Sequence, residues 1–253
     1  AALFAPSLAV SFGWNNVLGL ITIPLSVGLV IYMVMAKDSP YDKGLRPKSS
    51  LLSLLKEKDA WLLMFFYSIT FGGFVGLASS LTIYFHDQYA ISAVSAGLYT
   101  ALCVFFGSLV RPLGGWMADR IGGVKTLSIM LGVVVCLMLF LGKGPANVHL
   151  AVVILVPAML ALGMGNGAVF QLVPQRFGRD IGVMTGVVGM AGGLGGFVLA
   201  AGLGYVKQLT DGYSGGFLGF AILAIMAFLL LQGVRTRWQN KWGLVEVMAQ
   251  SEV

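Results

Sequence analysis

The stretch that decides the fold is residues 60–85, AWLLMFFYSITFGGFVGLASSLTIYF, in which no side chain is charged. A helix needs about 20 apolar residues to cross the ~30 Å hydrocarbon core of a bilayer, so this stretch is long enough to span a membrane. The whole chain has the same character, since 58% of its 253 residues are hydrophobic, 10% are charged and the mean hydropathy is +0.89. An ordinary soluble domain is about 25% charged, so a water-soluble globule is excluded.

Seven apolar segments of comparable length occur along the chain. Each must be a helix, because an isolated strand in lipid would leave its backbone polar groups unpaired. We therefore predict an all-α integral membrane protein with seven transmembrane helices. The segments are Trp14–Ala36, Ala60–Phe85, Val94–Met117, Val124–Leu141, His149–Val173, Ile181–Val206 and Gly215–Val234.

Lysine and arginine fall mainly in alternate connections between these segments. An excess of cations marks the cytoplasmic side, so we expect the first helix to run from outside to inside and the C-terminus to be cytoplasmic. The net charge of +6 is then a topology signal with anionic lipid as a secondary partner, which argues against a nucleic-acid partner. The cytoplasmic set is Lys37, Lys43, Arg46, Lys48, Lys56, Lys58, Arg120, Lys125, Arg176, Arg179, Arg235, Arg237 and Lys241, whereas Lys143 and Lys207 lie on the other side.

The order of segments predicts four regions. Residues 1–36 are the last helix of an N-terminal half, 37–59 a cytoplasmic central loop, 60–235 a C-terminal six-helix bundle and 236–253 a cytoplasmic tail. One helix, a long polar loop and six further helices is the pattern expected of a six-plus-six transporter without its first five helices. The chain has no basic stretch before its first apolar run, so we expect no signal peptide and a missing N-terminal half.

Arg111 is the one cation more than one residue inside the bounds of a predicted span. It precedes the predicted turn at Asp119–Arg120 by about 12 Å of helix, and no span contains an aspartate or glutamate that could balance it. A cation in a low dielectric needs a counter-ion, and the simplest supplier is a substrate. A guanidinium donates two parallel hydrogen bonds to a planar oxyanion. The alternative is that the side chain snorkels to cytoplasmic headgroups.

The sixth segment carries seven glycines between Gly182 and Gly196. They form pairs spaced four apart at 182/186, 189/193 and 192/196, and helix packing alone explains such pairs. Each glycine also weakens a helix by about 1 kcal/mol relative to alanine. The surplus favours a helix that bends and brings bare backbone close to a small ligand near the membrane midplane.

Aromatic and amide side chains within the spans are further candidates. Tyr67, Phe71 and Phe74 share one helix face at i, i+4 and i+7. They form either an ordinary packed stripe or a wall that encloses the anion, with the Tyr67 hydroxyl as a donor. Asn166 and Gln171 lie in an apolar span and bond either to neighbouring helices or to the ligand.

Residues 115–123, GWMADRIGG, connect the third and fourth segments. We predict a short cytoplasmic gating loop that uses Gly115, Asp119, Arg120 and Gly122; the alternative is a plain turn. The spans bring no set of acid, base or metal ligands, so we predict neither an enzyme nor a metal or cofactor site.

Several of these motifs resemble a known group. The GxxxDRxG pattern at 115–122 resembles the signature loop of the major facilitator superfamily. More specifically, YSITFG at 67–72, RPLGG at 111–115, GMGNGAVFQLVP at 163–174 and TGVVGMAGGLGGF at 185–197 are similar to the nitrate/nitrite porter family. The resemblance implies helices six to twelve of a twelve-helix transporter in the inner (plasma) membrane.

The resemblance also implies roles for particular residues. Arg111 would be one of two arginines that clamp the anion, Tyr67 and Phe71 would form the aromatic wall, and the glycines nearest the ligand would be Gly189, Gly192 and Gly193. The second arginine has no counterpart in this chain. We therefore expect transport of nitrate or nitrite by alternating access, in which two halves rock about a midplane site; another small or organic anion is the alternative substrate.

Overall fold

The computed structural model describes residues 4–37 and 51–251, and for residues 239–251 it describes only the helical backbone. Within those ranges the regular structure is entirely helical, which confirms the predicted all-α class. The helices are α1 (Ala5–Phe12), α2 (Trp14–Met35), α3 (Leu51–Leu54), α4 (Lys58–Tyr89), α5 (Ala93–Leu109), α6 (Arg111–Ile121), α7 (Gly123–Gly142), α8 (Val148–Phe177), α9 (Ile181–Thr210) and α10 (Ser214–Ser251).

Six stretches of the described chain are long and apolar enough to cross a membrane. One of them, Val148–Thr210, contains both α8 and α9, which a short 3-10 turn at Gly178–Asp180 joins. The seven predicted crossings are therefore present. The helix α1 was not predicted, and Gly13, with a φ of +77°, separates it from α2.

The third crossing is two helices and not one. The interruption falls at Val110, between α5 and α6. Pro112 explains it, because proline has no backbone N–H to donate and is best accommodated in the first turn of a helix. Arg111 consequently lies at the start of α6, whereas the sequence predicted it inside a continuous helix.

The reversal between α6 and α7 occurs at Gly122, where φ is +93°. Gly115, Asp119 and Arg120 all belong to α6. The predicted loop conformation is therefore wrong for these three residues, whereas their gating role stays a prediction. The helix that starts beside Pro112 continues until it reaches a residue that readily adopts a positive φ. From Gly122 back to Arg111 is about 16 Å of helix.

The bundle is formed by α4 to α10, and α8 contacts each of α4, α5, α6 and α7. By contrast, only 6% of the residues in an 18-residue apolar stretch of α2 are buried, and Val17 is the one buried residue of this helix. The predicted central loop, 37–59, falls largely on residues 38–50, which lie outside the described ranges; α3 and the first turn of α4 occupy its end. The helix α10 continues without a break into the predicted tail.

Glycines set the contact between α4 and α9, the most extensive helix pair in the bundle. A Cβ added at Gly72 would lie 2.8 Å from the backbone of Gly195, and one at Gly76 would lie 2.9 Å from the carbonyl oxygen of Gly196. Backbones that approach this closely exclude any larger side chain. We call this contact, formed by Gly72, Gly76, Gly195 and Gly196, the glycine seam.

A tyrosine in the α9–α10 connection hydrogen-bonds to the C-terminal end of α4. The Tyr213 hydroxyl donates to Oδ2 of Asp87 at 3.1 Å. Burial, and to a lesser extent the Asp87 carboxylate, raises the pKa of Tyr213 to about 12. The hydroxyl therefore stays protonated at physiological pH and keeps its donor role.

Candidate functional site

Arg111 turns its guanidinium towards α4. The Cζ atom lies 4.4 Å from the ring centroid of Phe74 and 5.5 Å from that of Phe71. Phe74 is about 24 Å of helix from Lys58 at the start of α4, so the charge lies level with the middle of α4, and Arg111 as a whole is half-buried. Among the described residues Arg111 makes no ion pair, and its buried Nε has no hydrogen-bond partner.

The predicted aromatic wall is assembled around this charge. The rings of Tyr67 and Phe71 are stacked with centroids 5.0 Å apart. Phe170 of α8 completes the wall edge-on to Tyr67 at 4.8 Å. The sequence prediction did not include Phe170, although its position four residues after Asn166 places both on one face of α8.

The three predicted ligand glycines do not share one environment. A Cβ at Gly192 would lie 2.6 Å from the Tyr67 ring and 2.8 Å from that of Phe71, so this glycine is what allows the wall to approach α9. A Cβ at Gly189 or Gly193 would meet no described atom within 4 Å. Gly192 therefore packs against the wall, and Gly189 and Gly193 border open space.

Asn166 lies in the same region, with only 3% of its surface exposed. Neither its Nδ2 nor its Oδ1 has a hydrogen-bond partner among the described residues. Thr70 of α4, which the sequence reasoning missed, is 1% exposed, and its Oγ1 is likewise unpartnered. Its spacing of three residues from Tyr67 was the available signal. Gln171 also has an unpartnered Oε1, which faces Gly123 of α7.

The residues of the predicted gating loop lie at the far end of α6. Asp119 and Gly115 line an open cavity of about 560 Å³ between α6 and α8, which they share with Gln171. The Arg120 guanidinium lies 4.4 Å from the ring centroid of Trp116 in its own helix. Asp119 has no ion-pair partner among the described residues.

A second polar cluster, absent from the sequence prediction, lies where α4 begins. The Asp59 carboxylate accepts from Nε of Arg176 at 2.9 Å, from Arg237, and from Nε1 of Trp238 at 3.0 Å. Arg176 also donates to Glu57 at 2.9 Å. We call these five residues the Asp59 clasp. It joins the start of α4 to the ends of α8 and of the apolar part of α10, three places that the cation distribution puts on one side of the membrane.

Apolar crossing helices packed through glycine, with an arginine turned into the bundle, are typical of helical membrane transporters. Residues 1–200 match the Major Facilitator Superfamily, and the chain belongs to this superfamily. Its membership confirms that the chain falls among multi-pass membrane transporters and not among enzymes.

The curated relatives that the chain resembles are named for the transport or extrusion of nitrate or nitrite. The chain is 28% identical to the nitrite extrusion protein of Bacillus subtilis (strain 168), over 94% of this chain and 59% of that protein. It is 32% identical to the probable nitrate transporter NarT of Staphylococcus carnosus (strain TM300), over 91% and 59%. It is 31% identical to the probable nitrate/nitrite transporter NarK2 of Mycobacterium tuberculosis (strain ATCC 25618 / H37Rv), over 90% and 58%.

These relatives confirm the resemblance to the nitrate/nitrite porter family. The chain spans about three fifths of the length of the curated relatives it matches. What the whole protein transports is therefore a matter for proposal.

Proposed function

We propose that the protein transports nitrate, nitrite or both across the plasma membrane by alternating access, with Arg111 as a binding group for the anion. The observation that carries this proposal is the environment of Arg111. Its guanidinium lies against Phe71 and Phe74, level with the middle of α4, and has no carboxylate partner among the described residues. The names of the relatives support nitrate and nitrite as the anions.

The aromatic rings suit a weakly hydrated anion. A cation over an aromatic face is stabilised by about 2 kcal/mol or more when it is desolvated, which is less than the several kcal/mol that removing a charge from water costs. The rings therefore hold the guanidinium in place without neutralising it. An entering oxyanion supplies the missing charge and accepts parallel N–H donors from the planar fork.

We assign supporting roles to the remaining candidates. Tyr67 and Phe71 enclose the anion, with the Tyr67 hydroxyl as a donor, and Asn166 contributes an amide from α8. Gly192 lets the wall pack against α9, whereas Gly189 and Gly193 keep space open beside it. The gating segment is the cytoplasmic end of α6, with Gly115, Asp119 and Arg120 in the helix and Gly122 at the reversal after it.

The proposal includes an orientation and a second half. The Asp59 clasp and the cation-rich connections lie on the cytoplasmic side, so the C-terminus is cytoplasmic. Alternating access requires two units that rock against each other. We propose that a further helical half of the same protein supplies the second unit and a second arginine.

The test is transport by the purified full-length protein in liposomes. We expect saturable nitrate uptake that external nitrite inhibits more strongly than acetate or formate does. Counterflow against internal nitrite distinguishes exchange from uniport. A protein that binds nitrate without any flux would be a receptor and would contradict the proposal.

The second candidate is a facilitator for another small or organic anion, because one arginine and an aromatic wall fit any planar oxyanion. The same liposomes decide between them through competition with chlorate and small carboxylates. Stronger inhibition by a carboxylate than by nitrite would favour this alternative.

A further inference from the structure

Buried polar atoms without a hydrogen-bond partner among the described residues occur on four side chains of the bundle. One is Gln171, whose Oε1 faces Gly123 of α7, and three others lie on α4, α8 and α6. They are Oγ1 of Thr70 on α4, both side-chain atoms of Asn166 on α8, and Nε of Arg111 on α6. A buried polar atom without a partner costs free energy, and an apolar residue of the same shape would avoid that cost. Valine in place of threonine, and leucine in place of asparagine, would fill the same space. The unpartnered groups therefore need another explanation.

The contacts around these residues place them at one junction of α4, α6 and α8. A Cβ at Gly165 would lie 2.8 Å from Cγ2 of Thr70, which puts Thr70 next to the residue before Asn166. A Cβ at Gly167 would lie 2.6 Å from the carbonyl oxygen of Arg111, which puts the start of α6 next to the residue after it. Asn166 thus occupies the helix position between its contacts to α4 and α6.

The helical register gives the direction in which Asn166 faces. Gly163 and Phe170 are three residues before and four residues after it, so all three share one face of α8. Gly163 packs against Gly107 of α5, whose own added Cβ would lie 2.6 Å from the Phe74 ring, and Phe170 packs against Tyr67. Asn166 therefore lies on the face of α8 whose neighbours lead to Phe74 and to Tyr67, and Phe74 also contacts the Arg111 guanidinium.

We propose that Thr70 and Asn166 are the uncharged donors of the anion site, and that with Nε of Arg111 they hydrogen-bond the oxygen atoms of a planar oxyanion. This inference rests on the proposed function. Arg111 alone would attract any anion, including a spherical halide. Directional donors from α4 and α8 favour an anion with separate oxygen acceptors, so this pair determines specificity for oxyanions over halides.

The anion also accounts for the buried cost. Without it, the Thr70 hydroxyl and the Asn166 Nδ2 lack partners; with it, these two donors gain charge-assisted hydrogen bonds, which are stronger than neutral ones. The Asn166 Oδ1 only accepts and gains no bond from the anion. Part of the binding free energy is then relief of an unfavourable burial. Removing the hydroxyl should consequently have opposite effects on the empty protein and on the loaded one.

The test is Thr70→Val in the detergent-solubilised full-length protein, with the melting temperature followed against nitrate at constant ionic strength. Stabilisation rises as the logarithm of 1 + [nitrate]/Kd, and we call the Kd obtained from this dependence the nitrate midpoint. We expect the nitrate midpoint to rise about tenfold, while the melting temperature without nitrate stays the same or rises. Chloride, titrated in the same way, should lose little of its weak effect. An unchanged nitrate midpoint overturns the inference whichever way the melting temperature moves.

Thr100→Val is the matched control. Thr100 is also fully buried in a membrane helix, but its hydroxyl donates to the carbonyl of Ala96 at 2.9 Å and accepts from Thr82 at 3.1 Å. We expect this variant to lower the melting temperature and leave the nitrate midpoint unchanged. A nitrate midpoint that rises equally in both threonine variants would show a general packing effect and would overturn the inference.

Asn166→Asp gives an independent test of the direction of the amide. A carboxylate at this position would pair with Arg111 and replace the anion, so we expect a folded protein that no longer responds to nitrate. A full response would overturn the placement of Asn166. If the wild-type protein itself shows neither nitrate-dependent stabilisation nor flux, the proposed function fails together with this inference. If the wild-type protein responds to nitrate and both Thr70→Val and Asn166→Asp keep that response, the inference alone is overturned.

Discussion

Arg111 and Arg176 show two opposite uses of one side chain. Arg176 donates to two carboxylates, each at 2.9 Å, in the Asp59 clasp. Arg111 lies against two phenylalanine rings and has no carboxylate partner among the described residues. Where the arginine joins helices, the chain supplies the opposite charge beside it. Where no carboxylate lies beside the arginine, the chain supplies rings that position the guanidinium without neutralising it.

The largest effect is expected from Arg111→Lys. A lysine keeps the charge but replaces the planar fork with a point charge. Loss of a charge-assisted hydrogen bond costs about 1.5–3 kcal/mol, so nitrate uptake by the full-length protein in liposomes should fall about 10- to 100-fold.

Arg179→Lys is the matched control, because Arg179 is exposed in the 3-10 turn after α8. Its uptake should equal that of the wild type. Near-normal uptake by Arg111→Lys would remove the contrast between the two arginines.

A smaller effect, on stability, is expected from Asp59→Asn. Asparagine keeps the shape of the side chain but removes the charge that Arg176 and Arg237 share. The Asp59 side chain is 13% exposed, whereas those of the arginines are 31% and 43% exposed, so solvent screens part of the interaction. We expect a loss of about 2 kcal/mol in the free energy of unfolding, measured by thermal or denaturant unfolding in detergent, with the nitrate affinity unchanged.

Asp211→Asn is the control for charge removal, since Asp211 lies in an exposed connection with a φ of +53° that asparagine also accepts. It should leave stability unaltered. If Asp59→Asn weakened nitrate binding and spared stability, the clasp would belong to the anion site and the comparison would fail.

The smallest effect is expected from Gly192→Ala. The added methyl group would press on the rings of Tyr67 and Phe71, and such overpacking costs about 1 kcal/mol or more. The rings would shift relative to Arg111, so nitrate affinity should fall severalfold. Gly204→Ala, in open space on the same helix, should keep the affinity and gain up to about 1 kcal/mol of helix stability. Equal nitrate affinity in the two variants would show that the wall does not depend on Gly192.

The crossings were predictable because apolar length determines them locally. The position of Arg111 was predictable only in part, since the break beside Pro112 changes where its helix begins. The Asp59 clasp was not predictable from local pattern, because it pairs Asp59 with Arg176 and Arg237, residues 117 and 178 positions away. Long-range pairs depend on how the helices are arranged, which spacing along the chain does not give.

Thr70 and the glycines illustrate the same limit at smaller scale. A threonine in a helix commonly bonds the carbonyl four residues back, as Thr100 does. The spacing from Tyr67 therefore placed Thr70 on the aromatic face but did not show that its hydroxyl has no partner there. Glycine spacing predicted three pairs on α9, but only the 192/196 pair packs closely against α4. Periodicity identifies residues that share a face; the neighbouring helices determine which face is covered.

The glycine seam has a mechanical consequence. Gly72 meets the backbone of Gly195 and Gly196 directly, and the side chains nearest to a Cβ added at Gly76 or Gly196 are those of Leu199 and Val75. Packed helices can slide past each other by small shear displacements, and a contact with so few side chains opposes such a displacement less than an interlocked one does. Because the two ring-bearing residues Tyr67 and Phe71 lie just before the seam on α4, a slip of α9 along it would change the spacing of the rings directly. The small number of side chains in this contact, and not bending of either helix, then allows the distance between the rings to change.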